Sequence, residues 1–310
     1  MSEMVQGHFS NWEAPIEQLW VRNGCEVCIK RDDQIDPLVS GNKLYKLKEN
    51  LRLFHEGAYK TLITFGGAYS NHIAATASIC QKEGISCVGF IRGEPTSPLN
   101  PTLQRAQAQG MTLKYINRSD YRKRDEPNFI REWISGFERP YIIPEGGANK
   151  AGIEGAKAML GKRTEHFSHI VSAVGTGTTL AGLALNASAG QRIVGLVIHR
   201  YLDVIIDLLP MHEGLKDVMQ KLEVQPAHYG GYAKWDASLL AFIRMIDQTY
   251  SIQLDPIYTG KALFTLTQFI DEGYFPQGSK VLFIHTGGLQ GIAGFEQRWR
   301  QSLFRPSGKA

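Results

Sequence analysis

Short apolar runs alternate with stretches of helical spacing along almost the whole chain. Runs rich in β-branched and aromatic residues predict strands at 25–31, 61–65, 87–91, 112–116, 141–143, 169–174, 193–198 and 280–285. Apolar positions at steps of three and four predict helices at 70–83, 102–109, 129–136, 153–161, 178–188, 238–250, 260–272 and 292–303. A further helix opens near Lys43. Leu44, Leu47, Leu51 and Phe54 share one face there, with Asn42 as the expected N-cap and Gly57 as the stop. The polar stretch 117–128 reads as a surface excursion.

Such alternation implies an α/β fold of mostly parallel sheets with right-handed crossovers. Ligands of these sheets bind beyond the carboxyl ends of the strands. Four glycine-rich or polar turns stand at such ends. Gly66-Gly67-Ala68-Tyr69-Ser70-Asn71-His72 offers hydrogen bonds at a helix N-terminus, for capping or for a carboxylate or phenolate oxygen. Gly175-Thr176-Gly177-Thr178-Thr179 makes a phosphate cradle. It is not a Walker loop, and Leu180 stands where a dinucleotide fingerprint needs its third glycine. Asp255-Pro256-Ile257-Tyr258-Thr259-Gly260-Lys261 and His285-Thr286-Gly287-Gly288 complete the set.

Composition narrows the chemistry. A net charge of +4 with no basic block gives no reason to expect nucleic acid. No run is long enough to span a membrane, and the start of the chain lacks an apolar core for a signal peptide, so a cytoplasmic protein is expected. Cys25 and Cys28 form a lone C-x-x-C inside an alternating segment, which reads as strand rather than zinc site. The histidines and carboxylates suggest no metal constellation. His55, His72 and His285 sit in separate motifs and are expected to be structural.

Lys43 changes meaning in this setting. By itself a lysine in the first turn of a helix is a solvated side chain. The positive end of the helix dipole lowers its pKa, which suits a nucleophile or base. With hydroxyls, amides and glycines at four other strand ends, it suggests one pocket for a phosphate-bearing aldehyde cofactor.

The motifs Lys30-Arg31-Asp32-Asp33, Ser40-Gly41-Asn42-Lys43-Leu44, Gly66-Gly67 with Ser70-Asn71-His72, and Pro144-Glu145-Gly146-Gly147 occur in order, followed by the last two turns. In these the chain resembles the 1-aminocyclopropane-1-carboxylate (ACC) deaminase / D-cysteine desulfhydrase family, over nearly its whole length. The resemblance implies pyridoxal 5'-phosphate and a tryptophan synthase β-like fold: two open, mostly parallel twisted-sheet domains with helices on both faces. It implies a larger cofactor-binding domain from 1–45 plus 153–310, a smaller one from 46–152, and an active site in the cleft between them. A homodimer is implied too.

By the same resemblance Lys43 bonds the cofactor, Asn71 meets the ring's 3-oxygen, and Gly175, Thr176, Gly177, Thr178 and Thr179 hold its phosphate with Lys46. Ser70, Tyr258 and Tyr232 are the further catalytic residues. Ser70, Asn71, His72 and Tyr69 face the substrate. Ring-opening deaminases carry glutamate and leucine where this chain has Thr259 and Thr286, so it looks like the desulfhydrase branch. Threonine hydroxyls leave the pyridine neutral, a weaker electron sink that suffices when thiolate leaves. Ile73-Ala74 replace a usual Thr-Arg, Tyr69 a glutamine and Tyr45 a frequent arginine.

The expected reaction is α-proton removal, by Lys43 or by Ser70 aided by a tyrosine, and β-elimination from a small amino acid. D-Cysteine, giving pyruvate, sulfide and ammonia, is the favoured substrate. The rivals are ring opening to 2-oxobutanoate, deamination of D-serine or β-chloro-D-alanine, and a non-catalytic cofactor binder. A nicotinamide enzyme is disfavoured by the broken fingerprint.

Overall fold

The computed structural model describes residues 13–199, 202–300 and 302–304. The first twelve residues, on which the expectation about a leader rests, lie outside them. In chain order the strands are β1 (Ile16–Arg22), β2 (Cys25–Lys30), β3 (Thr61–Gly67), β4 (Ser86–Arg92), β5 (Thr112–Ile116), β6 (Pro140–Ile143), β7 (His169–Val174), β8 (Arg192–Val197), β9 (Leu222–Pro226) and β10 (Lys280–Ile284). The helices that follow them begin with α1 (Asn42–Glu56), α2 (Asn71–Glu83), α3 (Pro101–Ala108), α4 (Arg118–Tyr121), α5 (Pro127–Ile134) and α6 (Lys150–Lys157). Then come α7 (Thr178–Asn186), α8 (Leu215–Val218), α9 (Ala237–Tyr250), α10 (Thr259–Asp271) and α11 (Gly291–Trp299).

Two sheets result. One has six strands in the order β1-β2-β10-β7-β8-β9, parallel except for the antiparallel β1–β2 hairpin. The other has four parallel strands in the order β5-β4-β3-β6. Side chains alternate between faces, and both faces are apolar. Val27, Ile29, Val281 and Phe283 pack against Leu239 and Ile243 of α9 and Leu263 and Leu266 of α10. Cys28, Leu282 and Ile284 point the other way, to Ile153 of α6 and Leu183 of α7. The smaller sheet repeats the design, with Leu62 toward α1 and α2, and Ile63 and Phe65 toward Trp133 of α5. Runs apolar on both faces are what a sheet covered twice requires.

Some boundaries depart from expectation. Gly41, not Asn42, is the N-cap of α1, at φ 69° and ψ −151°. That backbone region is open essentially to glycine alone. A Cβ on Gly41 would lie 2.0 Å from the Thr286 carbonyl oxygen, so glycine lets α1 dock on the end of β10. Helix α6 starts at Lys150 rather than 153 because the Asn149 side chain caps it, accepting from the Gly152 N–H at 2.7 Å. The stretch 117–128 is no mere excursion: α4 lies in it, and Tyr121 is 1% exposed. Strand β1 and the segment from Asp203 to β9 were not predicted.

Candidate active site

The carboxyl ends of β3, β4, β7 and β10 face one cavity of about 820 Å³. Lys43, in the first turn of α1, is half-buried on its wall, its Nζ donating to Asn42 Oδ1 at 2.8 Å. Burial lowers its pKa from 10.5 to about 8, against the pull of the Asp255 carboxylate. Asn42 in turn donates its amide to Thr179 Oγ1 at 2.8 Å, tying the lysine turn to the start of α7.

That start is the threonine–glycine turn after β7. Gly177 sits at φ 77° and α7 begins at Thr178, leaving first-turn N–H groups open. Gly175, Thr176, Gly177 and Thr179 line the cavity, whereas Thr178 is fully buried and shares a 2.9 Å hydroxyl contact with Thr176. Lys46 is 3% exposed, reaches the wall and donates to the Gly146 carbonyl at 3.1 Å. Burial, then the neighbouring Lys43, holds its pKa well below that of a free lysine.

Across the cavity lies the start of α2. Ser70 is its N-cap, with Oγ accepting from the Ile73 N–H at 3.3 Å. Asn71 is the first helical residue, and its buried Oδ1 has no partner. Tyr69 lines the cavity and packs on α11 at Gly294. His72 is 1% exposed, with Nε2 2.8 Å from Thr64 Oγ1. Since Thr64 donates its own hydroxyl to the Ile143 carbonyl, Nε2 of His72 carries the proton. Burial and the two lysines keep that ring neutral. Ile73 and Ala74 are buried behind the turn, away from the wall.

Tyr258 and Tyr232 close one side, with hydroxyls 3.4 Å apart. Burial raises both phenol pKa values, that of Tyr258 well above the ordinary one, so both are proton donors near neutrality. Thr286 lines the cavity but Thr259 does not: its Oγ1 donates to Asp255 Oδ2 at 2.7 Å. Asp255 also accepts from the N–H groups of Ile257, Tyr258 and Thr259, an anchor for the Tyr258 turn that sequence reasoning missed. Fully buried Lys261 was missed as well. It donates to the carbonyls of His228 at 3.0 Å and Gly231 at 2.9 Å, holding the loop that carries Tyr232. The arginine-bearing wall formed by 92 and 118–124 was also missed, although it follows the carboxyl ends of β4 and β5.

Among the described residues no group of histidine, cysteine or carboxylate could hold a metal. A phosphate-bearing pyridine aldehyde fits better. The open N-terminus of α7 suits its phosphate, the Lys43 amine its aldehyde, and the Asn71 side-chain N–H, at the cavity wall beside Gly288, its ring oxygen. A Cβ on Gly146 would come within 2.7 Å of Thr176 Cγ2, so bare backbone keeps this cradle open.

Residues 13–287 match the family described as pyridoxal-phosphate dependent enzyme. A putative ACC deaminase of Pyrococcus horikoshii is 33% identical over 297 residues, 90% of either chain. A D-cysteine desulfhydrase of Yersinia pestis is 29% identical over 299 residues, 88% of this chain and 89% of the relative. The crystal structure of an ACC deaminase homologue superimposes with a TM-score of 0.80 at 27% identity, over 96% of this chain and 98% of that one. The fold is therefore that of the tryptophan synthase β-like enzymes. With this match across the chain and a cavity suited to the cofactor, the chain belongs to the pyridoxal-phosphate-dependent enzymes, among the ACC deaminase and D-cysteine desulfhydrase homologues.

Proposed function

We propose that this enzyme is a β-eliminating lyase of small amino acids, with D-cysteine the favoured substrate and pyruvate, sulfide and ammonia the products. The observation that carries the reading is the Lys43 amine, depressed to about 8 and sharing one cavity with Ser70, Asn71 and the open start of α7. The bound cofactor supplies an aldehyde for an amine and a ring that withdraws charge from the substrate α-carbon. In this reading the first N–H groups of α7, Thr176, Thr179 and Lys46 hold its phosphate, and Asn71 meets its ring oxygen.

The first-turn N–H groups of α2 take the substrate carboxylate, since Ile73 and Ala74 offer no polar group. The Lys43 amine, its pKa lowered by burial, would receive the α-proton at Nζ. Ser70 is the poorer base, because its Oγ already accepts from Ile73 and no described tyrosine bonds it. Tyr232 and Tyr258, held protonated, stand ready to donate to the departing thiolate. Thr259 is engaged with Asp255 and Thr286 offers only a hydroxyl, so neither position charges the cofactor ring. That supports elimination over ring opening.

The test is a substrate panel on cofactor-loaded protein: D- and L-cysteine, D-serine, β-chloro-D-alanine and ACC, followed by pyruvate, sulfide and 2-oxobutanoate. Equal sulfide and pyruvate from D-cysteine is expected. Lys43→Ala should yield neither, and borohydride should fix no cofactor to it. The name of the Pyrococcus relative favours ring opening as the second reading, and 2-oxobutanoate formed faster than sulfide would install it. Bound cofactor without α-proton exchange in deuterated water would leave only a binder. A homodimer and a cytoplasmic setting belong to the same proposal. The four cysteines, all free and buried, accord with the latter, and light scattering tests the former.

A further inference from the structure

The cavity wall carries far more positive charge than one cofactor needs. Beside Lys43 and Lys46 it presents Arg92, Arg118, Arg122, Arg124 and Arg298, against the single carboxylate of Glu145. The chain as a whole is only +4, so the surplus is local. Arg124 is accounted for by Glu145 at 3.0 Å and Asp125 at 3.5 Å. Arg92, Arg118 and Arg122 have no carboxylate partner among the described residues, and all three are exposed on the rim.

Their placement separates them from the phosphate loop. Arg92 ends β4, and Arg118 and Arg122 follow β5, so all belong to the four-stranded sheet, whereas the loop follows β7 of the other. The substrate α-carboxylate already has the start of α2. A buried feature marks the same wall. Tyr121, 1% exposed, lies under the guanidinium carbons of Arg92 and Arg124, 5.9 and 5.3 Å from its ring centre. Its hydroxyl faces Glu145 without meeting hydrogen-bond geometry, and Arg124 Nε is likewise out of line. Arg92 stands over Gly67, its Nη2 3.6 Å from where a Cβ would be, next to the Ser70 turn.

We propose that Arg92, Arg118 and Arg122, backed by Tyr121, form a second anion subsite, and that the preferred substrate is a small amino acid whose side chain bears an anion. This deepens the lyase reading above and rests on it. Guanidinium forks suit phosphate, sulfonate and carboxylate alike. With O-phosphoserine the α-proton goes to Lys43 and the Cβ–O bond breaks with its electron pair on phosphate. Water then releases pyruvate and ammonia. Cysteate loses sulfite in the same way, whereas aspartate, with no such leaving group, only binds.

The test is calorimetry on the cofactor-loaded full chain with both enantiomers of O-phosphoserine, cysteate, aspartate and serine, alongside pyruvate release. At least one anionic amino acid should bind roughly tenfold to a hundredfold more tightly than serine. Preference for phosphate, sulfonate or carboxylate identifies the anion, and each supports the subsite. The Arg118→Gln/Arg122→Gln pair should cut the preference about tenfold or more. Lysines at both positions should keep part of it, and Arg131→Gln, on α5 away from the cavity, should keep it all. No preference over serine, or one that survives the double glutamine variant, overturns the subsite. If amino acids bind with the expected preference but none yields pyruvate, the lyase reading fails and the subsite stands.

Discussion

Lys43 is one of three buried or half-buried lysines in this region whose environment disfavours charge. Its folded pKa of about 8, down from 10.5, has a kinetic consequence. Only the neutral amine attacks an aldehyde, and at pH 8 about half of Lys43 is neutral, against roughly 0.3% of an ordinary lysine. Cofactor capture by the cofactor-free protein should therefore accelerate from pH 7 and level off above about pH 9. Stopped-flow absorbance checks this, and a rate still climbing at pH 10 would return Lys43 to an ordinary environment. The stability linkage has a matching sign. Between about 8 and 10.5 the unfolded chain holds the proton that the folded chain has lost, so this group makes the cofactor-free protein more stable as pH rises through that window. Lys43 itself was legible because its turn stands among glycines and hydroxyls at strand ends. Asp255 and Lys261 were not, because their work is done on backbone groups of loops that no spacing announces.

The strands and helices most easily read were those covered on both faces, such as β3 and β7, where continuous apolar runs left no ambiguity. β1 escaped because it is an edge strand with only Leu19 fully buried, though a signal was present. Asn23-Gly24, both at positive φ, is the dipeptide of a tight hairpin turn joining β1 to β2. The 203–226 segment escaped for another reason: it packs through a 3-10 turn and a half-buried strand with no clean period. At the start of α1, motif and backbone coincide. Gly41 combines a conformation costing a side chain about 1–3 kcal/mol with a Cβ position inside the Thr286 carbonyl. Gly41→Ala should lose about 3 kcal/mol or more of stability in urea unfolding. It should also weaken cofactor retention, because Lys43 and Asn42 swing with the helix start. A variant that unfolds and holds cofactor like the parent would mean that α1 is not seated by this contact.

The two sheets have separate apolar cores, and α1 serves both: Leu44, Leu47, Leu51 and Phe54 pack into one, Tyr45 into the other. Gly155 of α6 presses on this helix so closely that a Cβ would lie 2.1 Å from the Tyr45 carbonyl. The cavity is the other shared structure. Ser70, Asn71 and Arg92 come from the four-stranded side; Gly175, Thr176, Thr179 and Thr286 come from the six-stranded side. A ligand filling it bonds to both and couples their unfolding. Without cofactor, α1 and the contact of Tyr69 with Gly294 of α11 carry that coupling, and the cleft holds several arginine charges against one carboxylate, which favours its opening. Calorimetry of the cofactor-free protein should therefore give a broad transition, with a van't Hoff enthalpy below the calorimetric one. Cofactor at about one hundred times its dissociation constant adds about 2.7 kcal/mol. The peak should then rise by roughly 5 °C and narrow toward a single cooperative step. If both forms melt in one step at one temperature, the sheets are coupled by packing alone, and the cleft contributes nothing to holding them together.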